Sequence, residues 1–272
     1  MNDRPLRLLV VGAHPDDCEY RAGGLAALYA AAGHRVKFVS LTNGESGHHR
    51  IPADELVRIR REEARASAAV CGIEYDVLDY RDGHLLPTLD ARLDVIRLIR
   101  RFEPDLVLTH RPNDYHPDHR YTSQLVCDAA YTVTVPPVAS DVPALRDNPV
   151  FGYLSDEFRR PYPFSPDVVI DVEPVFDKLV DMLHCHKSQF YDWLAFNHGY
   201  ERELPAGDGE RREWLAQRAR ERIEPLAERH RERLIARYGA EPGAQIALAE
   251  GFEICEYGTP LTPQRASRLF PF

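Results

Sequence analysis

The 272-residue chain lacks several features, and each absence narrows what it can do. No uninterrupted apolar run reaches the length of a membrane span or of a signal-peptide core. Neither a membrane anchor nor export is expected. There is no surplus of base, since 34 Lys and Arg stand against 43 Asp and Glu for a net charge of −9. Nucleic-acid binders carry a clustered basic excess, so that partner class is set aside. The five cysteines, Cys18, Cys71, Cys127, Cys185 and Cys255, are scattered and never spaced C-x-x-C. That excludes a disulfide framework and a thiolate zinc site, and it fits a reducing cytoplasm. No repeat or low-complexity tract is present.

What is there suffices for the core of one α/β domain: 44% apolar and 28% charged residues. Strand and helix patterns alternate, which implies βαβ units and a Rossmann-like, doubly wound, mostly parallel sheet with helices on both faces. Strands are expected at 6–11, 36–42, 76–78, 106–109, 150–154, 168–171 and 252–257. Helices are expected at 24–32, 52–70, from Thr88 as N-cap to about 103, from about 120 to 131, and at 175–184, where the core should close. Residues 210–238 form a helix dense in Arg and Glu, kinked at Pro225. Its apolar positions Trp214, Ile223, Leu226, Leu234 and Ile235 are placed to pack on the domain or on a second copy of the chain. The expected organisation is a core over 1–190 and an extension over 191–272 within the same domain.

The first strand ends in Gly12-Ala13-His14-Pro15-Asp16-Asp17, where a dinucleotide-binding fold would need glycines. A nucleotide cofactor is therefore not expected. About a hundred residues on, His116-Pro117-Asp118-His119 follows another apolar strand. In a sheet of order 3-2-1-4, both turns lie at the carboxyl ends of adjacent strands, at the crevice where ligands bind. His14 and Asp17, three apart in a turn opening a helix, can face one point while Asp16 is directed elsewhere. With one histidine of the second cluster they make a two-histidine, one-carboxylate site, the donor set of a catalytic zinc with a position left for water. Asp16 is then a free carboxylate beside that water.

These two motifs resemble the PIG-L (LmbE-like) family of zinc-dependent N-deacetylases, which includes deacetylases of GlcNAc-phosphatidylinositol and of the mycothiol and bacillithiol pathways. The resemblance extends to Thr42-Asn43-Gly44-Glu45, Arg60-Arg61-Glu62-Glu63-Ala64, Asp82-Gly83 and His186-Lys187-Ser188-Gln189, and so covers the chain to about residue 190. It implies His14, Asp17 and His119 as ligands of one Zn2+, and Asp16 as general base. It implies His116 as the group that stabilises the oxyanion or protonates the leaving amine, oriented by Asp118, and Arg60 and Asp82 as substrate contacts. The implied reaction is hydrolysis of an N-acetyl group on an amino sugar such as a GlcNAc derivative. Residues 18–24 and the tail after about 190 depart from the family pattern.

Two other readings share the donor set. A two-histidine, one-carboxylate triad also serves non-haem iron oxygenases, and a metal-retaining sugar-binding module would keep the ligands without the chemistry. Alternation of strand and helix argues against the first, and the unligated Asp16 against the second. Cys18 is read as a packing residue. His184 and His186, two apart on a helix, cannot share a face and are read as no metal site. His48 and His49 are read as surface loop residues.

Overall fold

The computed structural model describes residues 4–272. The first apolar run forms β1 (Arg7–Gly12), in which Leu8 to Gly12 are all buried. Consecutive burial is possible only for a strand covered on both faces. After α1 (Asp17–Ala31), β2 (Arg35–Thr42) pairs parallel with β1. After α2 (Ala53–Cys71), β3 (Glu74–Tyr80) adds to β2. The chain then crosses through α3 (Leu89–Phe102) to β4 (Leu106–Thr109) on the other side of β1, and through α4 (Pro117–Thr132) to β5 (Val150–Leu154). The local signals work as expected. Thr88 Oγ1 caps α3 by accepting from Ala91 N–H, and Gly72 ends α2 at φ 65°.

Beyond β5 come β6 (Val168–Asp171), α5 (Phe176–Cys185), a single π-helical stretch over 188–193, α6 (Leu194–His198), α7 (Asp208–Arg229), α8 (Arg231–Tyr238), α9 (Ala240–Gln245), β7 (Ala249–Gly258) and α10 (Pro263–Leu269). The sheet order is β3-β2-β1-β4-β5-β7-β6, and β7 runs antiparallel to both its neighbours. The fold is thus the doubly wound α/β class, with the reversal of strand order beside β1. One core packs α1, α5 and α7 on one face of the sheet, and a second packs α3 and α4 on the other.

Three local expectations change. The core does not close at α5, because β7 enters the sheet between β5 and β6. The helix over 210–238 is helical through Pro225 and breaks at His230, where φ is −115°. A proline costs one N–H and crowds the preceding turn, and here the helix absorbs both for one more turn. Finally, α1 begins at Asp17 rather than at 24, and is split at Ala22 (φ −142°, ψ 18°).

That split leaves the N–H groups of the following turn without helical partners. Glu250 on β7 supplies them: its Oε1 and Oε2 accept from Gly24 and Leu25 N–H, each at 2.8 Å, in a fully buried setting. A side chain at Gly24 would meet Val172 Cγ1 at 2.5 Å and Glu250 Oε1 at 2.9 Å, so only glycine admits this approach. Glu250→Ala leaves both donors buried and unpaired, and a loss of about 2–4 kcal/mol is expected. Urea unfolding checks it, and a loss below about 1 kcal/mol would show that water reaches the split.

Candidate active site

Both polar turns leave the carboxyl ends of neighbouring strands, β1 and β4, where the strand order reverses. Crowding shapes the first turn. A side chain at Gly12 would lie 2.7 Å from Asp17 Cβ, so the fold-back requires glycine. Asp17 Oδ2 accepts from Ala13 N–H at 3.0 Å and His14 N–H at 2.7 Å, which fixes the carboxylate against the turn. Cys18 is fully buried with its Sγ toward Val10 O and Val39 O, a packing position. Asp16 sits at φ 127°, a conformation that costs on the order of 1–3 kcal/mol for a non-glycine residue. Its N–H donates to Tyr75 Oη at 3.2 Å.

Behind Asp16 lies a buried polar network of which only His186 belongs to one of the sequence motifs. Glu19, fully buried, accepts from Ser67 Oγ at 2.6 Å, and its carboxylate also meets His186 Nε2 at 2.8 Å and Tyr75 Oη at 3.4 Å. Burial opposes charge on His186, but the Glu19 carboxylate outweighs it and holds the imidazole above its ordinary pKa. His184 turns the other way, to Tyr191 Oη and Asp208. The strained turn is therefore braced from β3, α1, α2 and the residue that follows α5.

The ligand atoms of three expected residues converge. His14 Nδ1 is 3.2 Å from His119 Nε2 and 3.4 Å from Asp17 Oδ2, and His119 Nε2 is 3.5 Å from Asp17 Oδ1. Donors about 2.0–2.1 Å from a tetrahedral ion stand about 3.3 Å from one another, so the spacing fits a divalent metal. The far ring nitrogens also fit. His14 Nε2 faces Asp82 Oδ1 at 3.1 Å and Asp118 Oδ2 at 3.5 Å, and His119 Nδ1 faces Asp114 Oδ2 at 3.1 Å. Carboxylates in that position fix the tautomer and orientation of a metal-binding histidine. Burial works against charge on His14, yet Asp118, Asp17 and Asp82 together hold its pKa well above the ordinary value. The cluster calls for a cation at its centre. Overlapping triples, His14 with His116 and His119, Asp17 with His110 and His119, and His14 with Asp82 and Asp118, also bring ligand atoms within 4.8 Å of one another.

Asp16 is buried beside this point and lines a cleft of about 280 Å³ together with His14, Asp17, His110 and His119. Burial, reinforced by the Asp17 charge, pushes its carboxyl up to about 7. His116 is the N-cap of α4, and its Nδ1 accepts from Asp118 N–H at 3.2 Å. The ring proton of neutral His116 therefore sits on Nε2. Burial and the charge of His14 lower its pKa.

Two expected roles are corrected. The Asp118 carboxylate does not orient His116; its Oδ2 accepts from Gly83 N–H at 2.7 Å and faces His14. Only the Asp118 backbone reaches His116, because the first turn of α4 points that carboxylate toward the β3 loop. Asp82 is buried, accepting from Ser46 N–H at 3.1 Å, and is placed against His14 rather than in the cleft. Arg60 is likewise 2% exposed and donates to Gly47 O and to Gln189 Oε1. One helical turn on, Glu63 accepts from Ser188 N–H at 2.7 Å and Oγ at 2.6 Å. The sequence motifs around Arg60 and His186 are thus two halves of one contact. His48 and His49 are not free surface groups either: they stack on each other at 4.9 Å, and His49 stacks on Phe196 at 3.8 Å. His110 was missed, although it stands immediately after β4 as Ala13 does after β1. It accepts from Ala13 N–H at 3.1 Å, stacks on His119 at 4.1 Å, and is pushed down to about 4 by burial.

Known proteins resemble this chain in sequence and in fold. The family model described as PIG-L, GlcNAc-PI de-N-acetylase, matches residues 9–130, from β1 through α4. That match spans 122 of the 272 residues and includes both polar turns. The 4-oxalmesaconate hydratase of Pseudomonas putida is 27% identical over 220 residues, 76% of this chain and 85% of that protein. The diacetylchitobiose deacetylase of Thermococcus kodakarensis is 28% identical over 194 residues, 68% and 70%. The structure of the N,N′-diacetylchitobiose deacetylase of Pyrococcus horikoshii superposes with a TM-score of 0.69 at 22% identity, covering 92% of this chain and 83% of that one, and so shares the fold. No helix among the described residues is long and apolar enough to cross a membrane.

Proposed function

We propose that this protein is a metal-dependent N-deacetylase of the PIG-L kind that hydrolyses the acetamide of an amino sugar of the GlcNAc type. The observation that carries the reading is the separation of roles within one turn. His14 and Asp17 face His119 at metal-ligand spacing, while Asp16 is held beside them without joining the set. A sugar-binding module has no need of that second, strained carboxylate. His14, Asp17 and His119 would hold the ion, taken as zinc from the nitrogen- and oxygen-donor set with its remaining position open. When bound, such an ion supplies Lewis-acid polarisation of a water and of the amide carbonyl.

The chain's own residues do the rest. Asp16 takes the proton of the attacking water at its carboxylate, and Tyr75 holds its backbone in the conformation that points it there. His116, through its Nε2–H, stabilises the developing oxyanion, and the proton that Asp16 has taken from the water passes to the departing amine. Asp82, Asp118 and Asp114 keep the two histidine ligands in orientation. Acetate and a free amino sugar leave.

The hydratase relative favours a second reading, addition of water to a carbon–carbon double bond of an unsaturated polycarboxylate. Charge at the cleft weighs against it. Asp16, Asp17, Asp114 and Asp156 line the cleft beside Arg21 and Arg111, and Arg111 is already paired with Asp156 at 2.8 Å. A neutral sugar fits that balance better than a polyanion. Metal-loaded protein incubated with N-acetylated sugars should release acetate in stoichiometric amounts. If acetate does not appear while the absorbance of an unsaturated dicarboxylate falls, the hydratase reading replaces this one.

A further inference from the structure

Spacing in the sequence gives the five cysteines no pairing, and the fold supplies one. Cys127 lies on α4 and Cys255 on β7. The antiparallel register of β7 on β5 sets Tyr153 against Glu253, so Tyr153 and Cys255 turn their side chains to one face of the sheet, the face that α4 covers. Both sulfurs then reach a single oxygen. Tyr153 Oη donates to Cys255 Sγ at 3.1 Å and lies 3.4 Å from Cys127 Sγ. With its own proton given to Cys255, the phenol is left as acceptor, and the Cys127 S–H is the donor to it. Tyr257 N–H adds a second donor to Cys255 Sγ at 3.5 Å. Neither thiol belongs to the histidine and carboxylate groups that could hold a metal.

This arrangement selects a chemistry. A neutral thiol is a weak acceptor and has little use for two donors, whereas a thiolate uses both. The hydrogen bond from Cys127 draws Cys255 down to about 6 against its burial, with Tyr153 and Tyr257 N–H acting the same way. Burial pushes Cys18, Cys71 and Cys185 up, and the bond to Cys255 does the same to Cys127. One sulfur of five is thus prepared to attack, with a second thiol at hand to resolve the product. Cys127 is half-buried, which opens the pair to small solutes from the α4 side, while Cys255 is 5% exposed. We propose that Cys127 and Cys255 form a reversible disulfide when the chain meets a hydroperoxide, Cys255 attacking and Cys127 resolving. The Cys255 sulfur attacks one peroxide oxygen, the O–O bond breaks, and the other oxygen leaves as water with the thiol's proton, giving a sulfenic acid. The Cys127 sulfur then attacks the Cys255 sulfur, the S–O bond breaks, and hydroxide leaves with the Cys127 proton as a second water. Two electrons pass from the sulfurs to the peroxide. The bridge ties β7 to α4 about 12 Å along the helix from His119, and it is independent of the reaction assigned to the cleft.

The test treats the reduced, full-length protein with a few equivalents of hydrogen peroxide. Its intact mass should fall by about 2 Da, and alkylation of the unfolded chain should then find three thiols in place of five. Peptide mapping should show Cys127 joined to Cys255, and dithiothreitol should restore both thiols. In Cys127→Ser the reaction should stop at a sulfenic acid on Cys255, which a 1,3-diketone traps. In Cys255→Ser the loss of Cys127 thiol should be roughly tenfold slower or more, because its sulfur lacks the thiolate character of Cys255. The wild-type measurements decide the matter even if a variant fails to fold. A chain that keeps all five thiols under peroxide, that bridges another pair, or whose Cys255 is over-oxidised to the sulfinic acid while Cys127 stays free overturns the proposal. So does diketone label on Cys18, Cys71 or Cys185 in preference to Cys255.

Discussion

Asp16→Asn is expected to lower kcat by roughly 10²–10⁴-fold, the usual range for loss of a general base, while the protein stays folded and binds its ion. The substitution keeps the shape of the side chain and its access to the cleft, and removes only the ability to take a proton. The backbone bond from Asp16 N–H to Tyr75 Oη is untouched, so the strained turn should survive. The pH dependence gives an independent reading. The base must be ionised, so kcat/KM should rise with pH through the pKa of Asp16. Burial and Asp17 push that carboxyl up to about 7, and a bound cation a few ångströms away pulls it down. The acid limb should therefore lie below pH 7 and be absent in Asp16→Asn. Near-wild-type turnover in a metal-loaded Asp16→Asn protein would defeat the mechanism at its central step. Asp17→Asn should behave differently and lose metal and activity together, because its oxygens lie 3.4 Å and 3.5 Å from the two histidine donors.

His119→Ala is expected to abolish activity by removing the metal. His119 is the only one of the three proposed ligands supplied by the second turn, and a two-donor remnant binds a divalent ion far more weakly. Zinc added to metal-stripped wild type at about a hundredfold over Kd should stabilise the fold by about 2.7 kcal/mol. For a chain of this size that is a rise of roughly 5–10 °C in Tm. His119→Ala should show almost no rise. Elemental analysis that finds His119→Ala fully loaded would move the ion to the neighbouring set, His14 with Asp82 and Asp118, whose atoms also lie within 4.8 Å. In that case Asp82→Ala, and not His119→Ala, would lose the metal.

The two histidine-aspartate turns and the parallel order around β1 were legible because their causes are local. An apolar run flanked by small residues makes a buried strand, and a turn crowded with a histidine and two carboxylates has no packing purpose. The same locality explains the errors. Asp118 and Asp82 both point at His14, a contact set by how the β1, β3 and β4 loops meet, and no spacing within one loop encodes it. The Glu19, Tyr75 and His186 network joins three segments far apart in the chain, and although His186 stood in a motif, nothing near it in sequence names its partners. Arg60 and Glu63 with Ser188 and Gln189 were visible as motifs, but their mutual contact was not.

The tail shows the division most plainly. Periodicity marked its helix and final strand, since amphipathic spacing is a property of the segment itself. Insertion of β7 between β5 and β6 depends on the whole sheet, because either edge of an unfinished sheet offers the same backbone donors and acceptors. Sequence by itself marked the two turns whose residues are proposed here as donors and general base, and the strand order at the switch point, each written in residues a few positions apart. Tertiary structure decided which carboxylate serves which histidine, where α1 is broken and capped, and that Cys127 and Cys255 meet at one phenol, because each of these depends on side chains brought together from distant segments.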